Sequence, residues 1–159
     1  MYKGEFSRLV IHRLGPAKYH LIDPWKFFSD PAFEKSFYGG SIGENQEHMD
    51  SIFRSVSEQL GRERNVVIHR MGAVEAASLF PDGYFDWVYV DGNHQYEAVK
   101  LDLALYLPKL KPGGFLTGDD YGNPGWWEDG VTRAVNDFIA SHPCKTVMVE
   151  NHQFLLQLA

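Results

Sequence analysis

The stretch FDWVYVDGNHQYE, residues 85–97, is an apolar run that stops at a carboxylate, a glycine and a histidine. Trp87, Val88, Tyr89 and Val90 read as a buried strand. The run ends at Asp91-Gly92 and continues through Asn93, His94 and Tyr96. A turn needs only the glycine. Asp91 and His94 therefore ask for a chemical role.

Working outward, the pattern alternates. After the strand, Tyr96, Val99, Leu103, Leu107 and Leu110 recur at helical spacing, and Pro112-Gly113-Gly114 breaks the run. Residues 115–118 form a short strand running into Asp119-Asp120-Tyr121. Val131, Val135, Phe138 and Ile139 mark another helix. Strands at 146–150 and 153–158, separated by Asn151-His152, predict a closing antiparallel pair. Before the run, residues 74–80 read as a short helix closed by the turn Pro81-Asp82-Gly83. Residues 66–69 are β-branched and read as a strand. Met49, Ile52, Phe53, Val56 and Leu60 form a helical stripe stopped by Gly61. Residues 18–23 read as a strand ended by Pro24. Strands alternating with helices imply an α/β domain with a mostly parallel sheet. The sequence reads as one domain over residues 1–159. Residues 24–45 are its least regular part, an aromatic loop of the kind that acts as a lid.

Bulk properties narrow the function classes. Hydrophobic content of 44% and charged content of 23% are ordinary for a soluble globular protein. A net charge of −6 argues against a nucleic-acid partner, which selects for basic surfaces. No apolar run approaches the roughly 18 residues needed to span a bilayer, and no signal peptide opens the chain. The single cysteine, Cys144, cannot form an internal disulfide, so a reducing cytoplasm is the expected compartment.

In open α/β sheets, ligands gather at the carboxyl ends of the strands. Asp23, Asp91 and the pair Asp119-Asp120 all stand at such ends. Asp23 falls about 20 residues after Gly4, a spacing suited to a carboxylate that binds ribose hydroxyls; capping the turn beside Pro24 is its other reading. Asp91, Asp119 and Asp120 offer hard oxygen ligands for Mg²⁺, which would orient and acidify a substrate hydroxyl. Without a cation, Asp120 would cap the next segment and Asp119 would face solvent. His94 is a candidate general base for an alcohol, or else a helix-start histidine bonded to backbone. Trp126-Trp127 reads as an apolar acceptor wall or as local packing. No GxGxxG motif follows a strand, which counts against a nicotinamide oxidoreductase.

The block VYVDGNHQYEAVKLDLALYLPKLKPGGFLTGDDY resembles class I S-adenosylmethionine-dependent methyltransferases, near the macrocin O-methyltransferase and cephalosporin-hydroxylase-like group. Asp91, Gly92, His94, Tyr96, Asp102, Pro112, Gly113, Gly114, Asp120 and Tyr121 fill the places of that pattern. YHLIDPW fits the family's second strand, and GVTRAVNDFI the helix after the fifth. The resemblance implies a three-layer α/β/α Rossmann-like sheet of seven strands whose last strand is antiparallel. It opens inside the family's glycine loop, so the first strand is expected to be missing and the chain truncated upstream of Met1. By position it implies S-adenosylmethionine bound by Asp23 and Pro24 at the ribose, Gly4 at the methionine part, Ala73 and Val74 at the adenine, and Asp91 close by. In metal-using relatives Asp91, Asp119 and Asp120 would hold Mg²⁺, with His94 as base. Ala73 stands where many relatives carry an acidic residue, and Asp119 where close relatives often carry His. The implied function is O-methylation of a small-molecule or sugar hydroxyl; the alternative is a non-catalytic binding or assembly protein. Whether copies form a homo-oligomer is left open.

Overall fold

A computed structural model describes residues 2–159. The chain divides into two compact units, Met1–Gly72 and Ala73–Ala159.

In the first unit, helix α1 (Glu5–Leu14) precedes strand β1 (Tyr19–Ile22). A short helix α2 (Gly40–Gly43), the long helix α3 (Gln46–Leu60) and strand β2 (Val66–His69) follow. The strands pair in parallel, Tyr19 opposite Val66 and Ile22 opposite His69. The stripe foreseen on α3 is its buried face: Met49, Ile52, Val56 and Leu60 pack with Ile11 of α1 and Leu21 of β1. Asn45 caps α3 by accepting from the His48 backbone N–H at 2.9 Å.

Trp25, in the aromatic stretch, belongs to the core. It is fully buried in this core, tilted against Phe53 at 5.2 Å between ring centroids. Its φ of 39° lies in the left-handed region, an unusual place for a bulky residue. The Asp23 carboxylate supports it by accepting from the Trp25 N–H at 2.8 Å, an Asx turn across Pro24. The indole N–H donates to the Tyr2 carbonyl at 2.9 Å. Phe37, by contrast, is exposed.

The second unit runs α4 (Ala73–Ala77), β3 (Phe85–Val90), α5 (Tyr96–Tyr106), β4 (Leu110–Gly118), α6 (Gly130–Ser141), β5 (Cys144–Glu150) and β6 (Gln153–Leu158). Its four-stranded sheet has the order β3-β4-β6-β5, with β3 and β4 parallel and β6 antiparallel to both neighbours. The antiparallel closing pair is as expected, joined by Asn151 and His152, both at positive φ. Val99 and Leu103 of α5 and Val131, Val135 and Phe138 of α6 bury Leu116, Phe154 and Leu156 of the sheet.

One expectation changes. Helix α5 ends at Tyr106, and Leu107–Lys109 form a 3₁₀ turn, because Pro108 has no N–H to continue the ladder. Leu110 therefore belongs to β4. Six strands are described, two in one sheet and four in the other, and no strand precedes α1 among the described residues, as expected of the seven-stranded pattern without its first strand. No helix of the described residues is long and apolar enough to cross a membrane.

Gly118 is where β4 can tolerate no side chain. A Cβ there would lie 2.6 Å from the Phe154 ring and 2.6 Å from the Val90 carbonyl oxygen. Gly118→Ala is expected to destabilise the protein by about 1–3 kcal/mol, read as a lower urea midpoint with an unchanged slope.

Candidate functional site

The second unit assembles its polar cluster from two adjacent strand ends. Val90 pairs with Gly118 in the parallel ladder, so the residues that follow, Asp91 and Asp119, leave the sheet side by side. The Asp119 N–H still reaches the Val90 carbonyl at 3.4 Å. Beyond it, Asp120 adopts φ 61°, a left-handed conformation that aspartate tolerates better than most residues. The Asn123 side chain donates to Asp120 Oδ1 at 2.6 Å, leaving Oδ2 to face His94. The Tyr121 N–H is held by the His152 carbonyl at 2.8 Å, which ties this loop to the β5–β6 hairpin.

His94 sits between two carboxylates. Its Nε2 is 3.3 Å from Asp91 Oδ1, and its Nδ1 is 3.4 Å from Asp120 Oδ2. All three side chains are at least 70% buried, with exposures of 20%, 30% and 18% for His94, Asp91 and Asp120. The Trp127 ring meets the imidazole edge to face at 4.6 Å, and Trp126 stands against Trp127 in turn. The backbone on either side is gripped as well. Gln95 N–H donates to the Asn93 side chain at 3.0 Å. A Cβ on Gly130, at the start of α6, would come 2.5 Å from the His94 carbonyl oxygen.

The carboxyls respond to these surroundings in different directions. Burial pushes Asp91 up, but the hydrogen bond and charge of His94 oppose it, and the net shift is downward. Asp119 is raised, first by burial and then by the charges of Asp120 and Asp91, although the Asp120 N–H bonded to it at 3.0 Å acts the other way. Asp102 on α5 is pushed up to about 6 by burial. Its Oδ2 would lie 3.3 Å from a Cβ on Gly92, so it underlies the Asp91-Gly92 turn.

Of the residues singled out from sequence, Asp91, His94, Asp119 and Asp120 thus form one cluster. Among the described residues no three His, Cys, Asp or Glu side chains converge as a metal site. Ala73 and Val74 open α4; the Ala73 carbonyl accepts from the Tyr106 hydroxyl at 2.9 Å, and the Val74 side chain is exposed. Gly4 and Asp23 belong to the first unit. Gly4, at φ 76°, precedes α1, and a Cβ there would touch Leu60 and Val56 at 3.4 Å. Asp23 is buried and engaged: besides the Trp25 N–H, it accepts from the Tyr38 hydroxyl at 2.5 Å and the Tyr2 N–H at 3.2 Å. Tyr38, Asn123 and Gly130 were not foreseen. They lie in loops or at a helix start, where no periodic pattern marks them.

The profile of a family described as "Methyltransferase domain" matches residues 1–121. Over 60 residues the chain is 38% identical to an uncharacterized protein, R132, of Acanthamoeba polyphaga mimivirus, a match covering 38% of this chain and 26% of the viral protein. Among solved structures, the O-methyltransferase NovP superposes with a TM-score of 0.65 at 14% identity, over 100% of this chain and 69% of that one. A Corynebacterium glutamicum protein superposes with a TM-score of 0.56 at 14% identity, over 89% of this chain and 61% of the other. The chain thus spans about a quarter of its viral relative and less than two thirds of the Corynebacterium protein.

The raised Asp102 carboxyl has a pH signature. Its proton is held more tightly in the folded than in the unfolded chain. Its contribution to stability is therefore greatest below the ordinary value of 3.8 and is lost as pH rises to about 6. Asp102→Asn is expected to gain on the wild type in urea midpoint between pH 4 and pH 6, with the difference constant above. Parallel midpoint curves across that range would contradict the assignment.

Proposed function

Because this chain belongs to the methyltransferase-domain family, we propose that it is an S-adenosylmethionine-dependent methyltransferase acting on a hydroxyl of a small molecule or sugar. The observation that carries the reading is the imidazole of His94 flanked by the carboxylates of Asp91 and Asp120.

When bound, S-adenosylmethionine supplies a methyl group on a sulfonium, an electrophile that needs no further activation. What remains for the protein is positioning and one proton. A neutral imidazole has one N–H and one free nitrogen. With the donor bound, His94 would take the proton of the acceptor hydroxyl while the methyl passes to that oxygen, the C–S bond breaks and the sulfur leaves as the neutral thioether. The resulting imidazolium donates from both nitrogens, and a carboxylate awaits each. Trp127, with Trp126 behind it, offers an apolar wall for the acceptor.

Asp23 supports the donor side of this reading. The Tyr38 hydroxyl already donates to it, the same kind of bond that a ribose hydroxyl would make. Pro24 and Gly4, in the same unit, are proposed to serve the donor with it, as the family resemblance implies. A Mg²⁺ ion does not fit this arrangement. Asp91, Asp119 and Asp120 would have to turn to one point, while the His94 ring occupies the space between Asp91 and Asp120. No step is assigned to a metal.

A second reading, a binding or assembly protein without turnover, is favoured by Asp23 being satisfied within its own unit. Titration calorimetry separates the two. The chain is expected to bind S-adenosylmethionine and S-adenosylhomocysteine, with at least tenfold weaker binding, roughly 1.4 kcal/mol, in Asp23→Ala. Absence of binding by the wild-type chain would rule the enzyme out. Given turnover, His94→Gln is expected to lower kcat by roughly 10²–10⁴-fold with KM little changed. A chelator is expected to leave the wild-type rate unaltered; a lost rate restored by Mg²⁺ would return the three aspartates to the role of metal ligands.

A further inference from the structure

Strand β5 is the outer strand of the four-stranded sheet, and among the described residues its ladder partner is β6 alone. All its residues after Cys144 are exposed, including the consecutive apolar Val147, Met148 and Val149. Such an edge is a template for another strand. Lys145 lies near one end and Glu150 at the other, both exposed and neither in an ion pair among the described residues.

In a regular strand, residues five apart point to opposite faces. Here the register against β6 shifts between Thr146 and Met148, with Val147 as the extra residue. Lys145, Met148 and Glu150 lie opposite Gln157, Leu155 and Gln153, and so share one face. Thr146 and Val149 lie opposite Leu156 and Phe154, which are buried, and share the other. The bulge makes the strand self-complementary. In an antiparallel pair of copies with a two-fold axis through Met148, Lys145 of each faces Glu150 of the other. Met148 then meets Met148, and Thr146 meets Val149. Every pair lies on a common face, as a two-fold axis perpendicular to the sheet requires.

We propose that this chain associates with a second copy of itself through β5, antiparallel and centred on Met148, so that two four-stranded sheets join into one. A lysine and a bulge on an edge ordinarily discourage pairing. In this strand the glutamate answers the lysine, and the bulge aligns them. The central apolar residues leave water in the same step.

Analytical ultracentrifugation of the whole chain over a concentration series tests this. The wild-type mass is expected to climb toward that of a dimer. Lys145→Glu and Glu150→Lys each set like charges against one another twice, and each is expected to weaken association by roughly tenfold. The double variant carrying both changes restores the pairing, and so does an equimolar mixture of the two single variants. A concentration-independent monomer mass for the wild type overturns the proposal. So does association of both single variants at wild-type strength, or failure of the mixture to recover it. Both positions are exposed, and the recovered variants report that the fold has survived.

Discussion

Val90 lies opposite Gly118 in a parallel ladder, and the chemistry of the second unit follows from that register. Parallel strands end at the same edge, so two carboxylate-bearing segments must emerge together. A slip of one residue would turn Asp91 or Asp119 toward the other face. The register is guarded on both sides of β4. Gly118 has no room for a side chain between Phe154 and the Val90 carbonyl, and the Thr117 hydroxyl donates to the Val88 carbonyl at 3.0 Å while accepting from the Trp87 indole at 2.7 Å.

Bringing carboxylates together has an electrostatic cost, and the structure meets it residue by residue. Asp91 and Asp120 share the His94 ring between them. Asp119 accepts the Asp120 N–H, and burial together with the charges of Asp120 and Asp91 raises its carboxyl. The histidine is held from behind by Gly130 and from the side by Trp127, so its position does not rest on the long contacts to the carboxylates alone. In the role proposed for His94, such support would spare it reorganisation on meeting a substrate.

The first unit uses a carboxylate differently. Asp23 was legible as a functional candidate because it ends a strand ahead of Pro24. Its observed bonds go to Tyr2, Trp25 and Tyr38, and they hold a buried tryptophan in a left-handed conformation. That work could not be read from the sequence, since Tyr38 lies 15 residues away in a segment without periodicity. The burial of Trp25 was hidden for the same reason. Composition suggested a lid, but whether an aromatic is core or surface depends on where the chain turns, and Asp23 sets that turn for Trp25.

The sequence by itself determined the alternation of strands and helices, the helical face of α3, the closing hairpin, and Asp91 and His94 as residues standing where a strand ends. Local patterns suffice for these because apolar periodicity and turn chemistry act over a few residues. Only the tertiary structure decided that Asp120, 26 residues beyond His94 in the numbering, completes the imidazole's surroundings, and that a bulge brings Lys145 and Glu150 to one face. Both are consequences of strand register. Register is settled by contacts between segments distant in sequence, which no local pattern encodes.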